Sequence, residues 1–184
     1  MPLLILVDDM DEEIGTCEML ACHAGQGVLH RAFTILVFNP AGEVLIQKRS
    51  ASKLLWPLTW EASCSGHPVA GEDLEAAAAK RLPEELGFST TLRTEGHFLY
   101  RAAYRDVGSE NELCYLLAGE YDGEVPADPE EVAEYRWVAP EELSSAMEAD
   151  PEGYAPWLPP ALEMLTVPGL GGGLQSAGEP EDRD

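Results

Sequence analysis

At 184 residues, 45% of them hydrophobic, the chain has the length of one domain and enough apolar content to bury a core. Its 34 acidic residues against 11 basic ones give a formal net charge of -23 at pH 7, which argues against nonspecific binding to nucleic acid or to an anionic membrane. An anionic substrate stays open, because a bound cation and a few local basic groups can reverse the sign inside a cleft.

Pro2 to Val7 is apolar and partly β-branched and reads as a first strand, too short to span a membrane and followed at once by Asp8 and Asp9. The segment DDMDEEIG reads as a turn, and Cys17 to His23 as a short helical or irregular piece. Arg31 to Phe38 and Glu43 to Arg49 are strand signals around the turn Asn39-Pro-Ala-Gly42, and together predict a hairpin. Ser50 to Leu58 is a loop carrying Lys53 and Trp56, and Leu58 to Ser63 a short strand. After the break at Pro68 to Gly71, Leu74, Ala77, Ala78, Leu82 and Leu86 recur at helical spacing along Glu72 to Leu86. Pro83 conflicts with that helix, removing a hydrogen bond at about 3 kcal/mol, so a kink or tightened last turn is expected.

Strands follow near His97 to Tyr104, Glu112 to Tyr121 and Val132 to Val138. Pro140-Glu-Glu-Leu opens a short helix with acidic residues in its first turn, and Trp157 to Leu165 a second, with Pro159 and Pro160 near its start. From Pro168 the glycine-rich, charged segment predicts disorder. Cys17, Cys22, Cys64 and Cys114 make no C-x-x-C pair, and nothing resembling a secretory signal precedes them, so free thiols in a reduced, cytoplasmic protein are expected.

Taken singly, His23, His30, His67 and His97 are more often structural or surface residues than ligands. Glu110 and Glu112 would point to one face of an extended strand, which alone is no more than an acidic strand edge. Arg49, Lys53 and Arg81, taken singly, are solvated charges.

The spacing changes these readings. Gly66, then Glu72, then Lys80-Arg81-Leu82-Pro83-Glu84-Glu85-Leu86-Gly87-Phe88 resembles the Nudix box, with Lys80-Arg81 where that pattern has Arg-Glu. The embedded Ser65-Gly66-His67-Pro68 is similar to the Cys-Gly-His-Pro of the type I isopentenyl diphosphate isomerases, a branch of the Nudix superfamily. CHAGQGVLHRAF, KLLWPLTW, SENELC and APWL match in the same register, so the resemblance runs from about Leu3 to Met164.

It implies an α/β (α+β) Nudix fold, a mixed sheet flanked by helices, in one domain over residues 1–167 with a disordered acidic tail over 168–184. It implies a five-ligand metal site of His23, His30, His67, Glu110 and Glu112, and three nitrogens with two oxygens suit manganese, zinc or iron better than magnesium. Glu85 would bind magnesium together with the substrate diphosphate, with Glu84 and Glu72 as weaker candidates, while His97 has no counterpart. Arg49, Lys53 and Arg81 fall at substrate-binding positions, and Met19 stands where a lysine is usual. Trp157 would face the reacting carbon, Tyr100 would relay a proton to or from Glu112, and Ser65 occupies the catalytic cysteine position.

The implied reaction is isopentenyl diphosphate to dimethylallyl diphosphate through protonation of the alkene and loss of a proton from the other side. A serine hydroxyl is far less acidic than a thiol, and Cys64 would point away from Ser65 in an extended segment. Three explanations stay open: a slower or water-assisted isomerisation, a mutated chain, or other carbocation chemistry on a different prenyl diphosphate. A Nudix diphosphate hydrolase is the competing class, disfavoured by Lys80-Arg81, and a silent binding module is disfavoured by five matching ligands. The expected partner is a small prenyl diphosphate, with no nucleic acid, no membrane span, and a monomer or weak dimer.

Overall fold

The computed structural model describes residues 2–166. The expected domain end at residue 167 and the tail over 168–184 therefore lie outside the described residues. In chain order the elements are β1 (Leu3–Val7), β2 (Glu13–Glu18), α1 (Met19–Cys22), β3 (His30–Phe38), β4 (Val44–Arg49), β5 (Trp60–Glu61) and β6 (Cys64–Gly66). There follow α2 (Leu74–Leu86), β7 (Arg93–Tyr104), β8 (Gly108–Glu120), β9 (Val132–Val138), α3 (Pro140–Ala149) and α4 (Leu158–Thr166).

Nine strands among the described residues join one mixed sheet with β3 at its centre. β3 runs parallel to β8 over nine paired residues, His30↔Glu112 through Phe38↔Glu120, and antiparallel to β1, β4 and β6. That position explains its sequence: apart from Arg31, every residue of β3 is buried, so it reads as a continuous apolar run. Alternation then divides the core. Phe33, Ile35 and Val37 pack with Ala78, Leu82 and Leu86 of α2, while Leu36 and Phe38 pack with Leu143 of α3 and Leu158 and Leu162 of α4.

Three expectations need correction. DDMDEEIG is a turn only through residue 12, since Glu13 already begins β2. Asp8 Oδ1 closes that turn by accepting from the N–H groups of Met10 (2.9 Å) and Glu12 (3.0 Å). β2 is an exposed edge strand held by its ladder to β1, so it carries no apolar alternation to betray it. The β3–β4 hairpin exists only at its tip, Phe38↔Val44; beyond it β3 turns to β6 and β8 while β4 pairs with β5 and β9. β6, three residues long, is the third departure, an element too short for periodicity to reveal.

α2 starts where Asp73 accepts from the Ala76 N–H (3.0 Å) and ends at Gly87, whose φ of 75° a side chain would oppose. The Gly87 N–H still donates to the Pro83 carbonyl (3.0 Å), so the helix keeps α-type bonding to its end despite Pro83. Cys17, Cys22, Cys64 and Cys114 are free thiols, the last three buried. No helix among the described residues is long and apolar enough to cross a membrane.

Candidate active site

Glu112 sits where three strands meet. The parallel register sets it beside His30 of β3, and the antiparallel register sets it beside Tyr100 of β7. Residues opposite one another in a ladder share a face, so both side chains reach the same side of the sheet as Glu112, with Glu110 two residues away on that face. His23 ends α1 and is tied to β8 through its carbonyl, which accepts the Ser109 N–H (2.9 Å). Gly27, at φ 71°, lies against the same stretch; a Cβ there would stand 3.1 Å from the Ser109 carbonyl oxygen. His67 follows β6 immediately, and Gly66 lets β6 approach β3, since a Cβ would fall 2.8 Å from the Phe33 ring.

One ligand atom from each of His23, His30, His67, Glu110 and Glu112 falls within 4.8 Å of all the others. The His23 and His30 Nδ1–H groups donate to the carbonyls of Met19 and Val28, both at 2.7 Å. This leaves both Nε2 atoms to face the cluster, the orientation that metal-binding imidazoles take. His67 Nε2 lies 2.8 Å from Glu112 Oε1, and His23 Nε2 2.9 Å from Glu110 Oε2. His30 Nε2 and Glu110 Oε2 are nevertheless buried without a hydrogen-bond partner. Nitrogen lone pairs held against carboxylate oxygens, with buried acceptors unsatisfied, fit a cation among them. His97 lies outside this group, exposed and packed on the Tyr115 ring at 5.2 Å.

Burial, and then the Glu112 charge, push the Glu110 carboxyl up to about 7. Burial opposes charge on Glu112 too, but the imidazoles of His30 (3.6 Å) and His67 (2.8 Å) beside it prevail and hold it well below the usual range. His30 is pushed up to about 10 against its own burial by Cys22 and Glu112. Burial lowers His67. Protons and a metal ion would compete for these atoms.

Four of the five cluster residues line a cavity of about 220 Å³. Its lining includes His23, His67, Glu110 and Glu112 of the cluster, Tyr100, Trp157, Ser65 and Thr34, the cations Arg49 and Lys53, and Met19, Leu20 and Leu54. The Tyr100 hydroxyl donates to Glu112 Oε2 at 2.6 Å, and burial followed by the Glu112 charge raises its pKa well above the usual value. Ser65 Oγ lies 3.2 Å from Thr34 Oγ1, which also accepts from the Cys114 thiol (3.3 Å). Cys64 points the other way, fully buried against α2, where burial and then Glu85 raise its thiol far above the usual value.

The cations are distributed unevenly. Arg49 and Lys53 line the cavity, whereas Arg81 does not; it is held by Glu84 (3.2 Å), Glu85 (2.7 Å) and Glu131 (2.9 Å). Lys53 pairs with Glu131 and with Glu85 (3.5 Å). Glu85 is buried, accepts from Gln47 Nε2 (2.7 Å), and stands apart from the five-residue cluster. Glu84 is exposed, and Glu72 accepts from the Val69 N–H (3.2 Å) ahead of α2. Of the remaining tryptophans, Trp56 packs edge-on to Trp157 at 5.6 Å, and Trp60 is flanked by Lys48 and Arg136.

Residue-by-residue reading missed Thr34, Gln47, Glu61 and Glu131. Gln47, polar within the buried run of β4, was the available signal; Glu61 and Glu131 look like any other acidic residue of an acidic chain.

The family model for the NUDIX domain matches residues 28–159. The isopentenyl-diphosphate Delta-isomerase of Nocardia farcinica is 46% identical over 160 residues, 86% of this chain and 91% of that protein. The protein of the same name from Burkholderia multivorans is 38% identical over 167 residues, 91% of this chain and 94% of its own. Among solved structures, a Deinococcus radiodurans protein superposes with a TM-score of 0.75 at 22% identity, covering 90% of this chain and 99% of that one. The MutT protein of Methanosarcina mazei Go1 reaches 0.61 at 18% identity, covering 73% and 91%. At such identities the two structures speak for the fold alone.

Proposed function

Because the chain belongs to the isopentenyl-diphosphate Delta-isomerases of the NUDIX domain family, we propose that it converts isopentenyl diphosphate to dimethylallyl diphosphate. The observation that carries this reading is the Tyr100–Glu112 hydrogen bond of 2.6 Å, set in a cavity that Ser65 and Trp157 also line. Protonation of the terminal alkene carbon makes a tertiary carbocation, and loss of a proton from the carbon nearer the diphosphate moves the double bond. We assign the proton donation to the Tyr100–Glu112 pair: with Glu112 ionised, the proton at hand is the one the Tyr100 hydroxyl shares with Glu112 Oε2. Trp157 offers an aromatic face to the developing cation, worth about 0.5 to 2 kcal/mol. Ser65 takes the role opposite. Its hydroxyl is a weak base, so the proton leaves slowly or through water.

Three imidazoles and two carboxylates suit manganese or zinc, and such an ion, when bound, supplies the positive charge that orients Glu112 and acidifies the proton it shares with Tyr100. Glu85 is the residue we assign to magnesium entering with the diphosphate, and Arg49, Lys53 and Arg81 are assigned to the diphosphate itself. The cations here already face Glu61, Glu84, Glu85 and Glu131, so a diphosphate accompanied by a divalent cation suits this wall better than a bare one. The reading extends to a monomer or weak dimer in the cytoplasm, with no nucleic-acid partner.

The test is incubation with isopentenyl diphosphate, magnesium and manganese or zinc, following dimethylallyl diphosphate and released phosphate together. Alkene-shifted product without phosphate is expected. Phosphate release instead would make the protein a diphosphate hydrolase, and neither product would point to another prenyl diphosphate.

A further inference from the structure

Glu61 is a carboxylate 1% exposed in a chain whose acidic residues mostly meet water. It sits on the two-residue strand β5, beside Gln47 of β4. Its two oxygens are divided between two residues of the cavity wall. Oε1 accepts from Arg49 Nη1 at 2.7 Å, and Oε2 accepts from the Trp157 indole Nε1–H at 3.1 Å. The guanidinium of Arg49 lies over the Trp157 ring at 5.2 Å, so the three side chains close a triangle. The backbone reinforces it: the Ala155 N–H donates to the Trp60 carbonyl at 2.7 Å, and Trp60 bridges to Tyr154. β5 thereby anchors the segment that delivers Trp157, by main chain at Trp60 and by side chain at Glu61.

Arg49 is correspondingly occupied. Its Nε donates to the Leu55 and Trp56 carbonyls (3.3 and 3.1 Å) and its Nη2 to Leu55 (3.1 Å), so each guanidinium nitrogen already has an acceptor within the protein. A buried carboxylate that holds both a charge and an indole N–H fixes the ring plane as well as its position.

We propose that Glu61 is the positioning residue of the cavity wall, setting the Trp157 indole through one oxygen and engaging Arg49 through the other, so that Arg49 braces the wall as well as facing the substrate. Only the kinetic part of this inference rests on the isomerase reading.

Glu61→Gln tests it at constant size. The charged guanidinium takes the one remaining carbonyl oxygen, which turns the amide NH₂ toward the indole N–H, donor against donor. Glu61→Asp, which keeps the charge but is one methylene too short to span both partners, guards against a folding failure in the first variant. In ¹⁵N-labelled protein, with the Trp157 resonance identified by its loss in Trp157→Phe, the indole proton should exchange slowly in the native chain. It should exchange at least about tenfold faster in both Glu61 variants, as a buried hydrogen bond is lost. With isopentenyl diphosphate, kcat should fall about tenfold while KM moves less than twofold. Glu61→Gln added to Trp157→Phe should cost little beyond the larger single effect. Unchanged indole exchange in both variants, or full additivity in the double variant, would overturn the proposal. Accelerated indole exchange in a protein whose native form makes no dimethylallyl diphosphate would sink the isomerase reading and leave the positioning role standing.

Discussion

Two polar clusters border the same cavity and are built on opposite electrostatic plans. The histidine–glutamate cluster leaves His30 Nε2 and Glu110 Oε2 buried and unsatisfied, with imidazole lone pairs turned toward carboxylates. The neighbouring cluster of Arg49, Lys53, Arg81, Glu61, Glu85 and Glu131 has every cation paired within the protein, although Gln47 Oε1 beside Glu85 is buried without a partner. The first could hold a cation; the second must exchange partners before it can hold an anion. Changes in the first should therefore abolish function, and changes in the second should shift affinity.

The largest effect should come from removing metal. A chelator is expected to eliminate turnover, and magnesium alone should not restore it once the five-ligand site is empty. Full activity in protein shown by elemental analysis to be metal-free would break the comparison. The sign of the pH dependence follows from Glu110, raised to about 7, and His30, raised to about 10, in the metal-free protein. Both groups hold a proton more tightly in the folded metal-free protein, so stability falls as pH climbs from their unfolded to their folded values. His67, lowered by burial, acts the other way only up to its unfolded value. Metal binding displaces those protons, so the melting-temperature gap between metal-loaded and metal-free protein should widen from pH 5 to pH 8. A gap that narrows over that range would contradict the reading.

Next in size is Glu112→Gln, which takes away a ligand and one half of the acid pair together. General acid catalysis alone is worth about 10²- to 10⁴-fold. The expected result is a loss near the upper end of that range in kcat, measured on metal-reloaded protein, with Tyr100→Phe losing less because the carboxylate remains.

Ser65→Cys should act in the opposite direction. Thiol and hydroxyl differ little in size but by several pKa units, and a rate gain of about tenfold corresponds to roughly 1.4 kcal/mol off the barrier. Measured at saturating isopentenyl diphosphate, a cysteine form that stays near zero would favour a longer or modified prenyl substrate.

The smallest effect belongs to the second cluster. Lys53→Met should raise KM several-fold and leave kcat within about twofold, because it removes a cation from the wall without touching the proton path. A collapse of kcat equal to that of Glu112→Gln would show that the two clusters do not divide the work between chemistry and binding.

How much of this was legible beforehand depended on whether a residue's partners were local. The α2 stripe was visible because Ala78, Leu82 and Leu86 recur at helical spacing, and all three are fully or almost fully buried. Glu110 and Glu112 could be placed on one face from alternation alone, and Cys64 opposite Ser65 for the same reason, since strand side chains point to successive sides. Three of the chain's 4 histidines stood out only because they fall where the family resemblance implies metal ligands. β2 was lost because an edge strand held by backbone bonds needs no apolar code.

By itself the sequence determined which residue types were available, which face the residues of the recognised strands would take, and where α2 ends; the helix starts at Leu74, two residues after the expected Glu72. The tertiary structure decided who meets whom. Only the parallel register of β3 and β8 puts His30 beside Glu112, and only the divergence of β4 from β3 lets Arg49 reach its acceptors in the loop that follows. Glu61 finds Trp157 across 96 residues of chain, and Lys53 finds Glu131 across 78. Periodicity encodes orientation within one element, whereas register and neighbour are set by which ladders and layers pack together, and no local pattern carries that information.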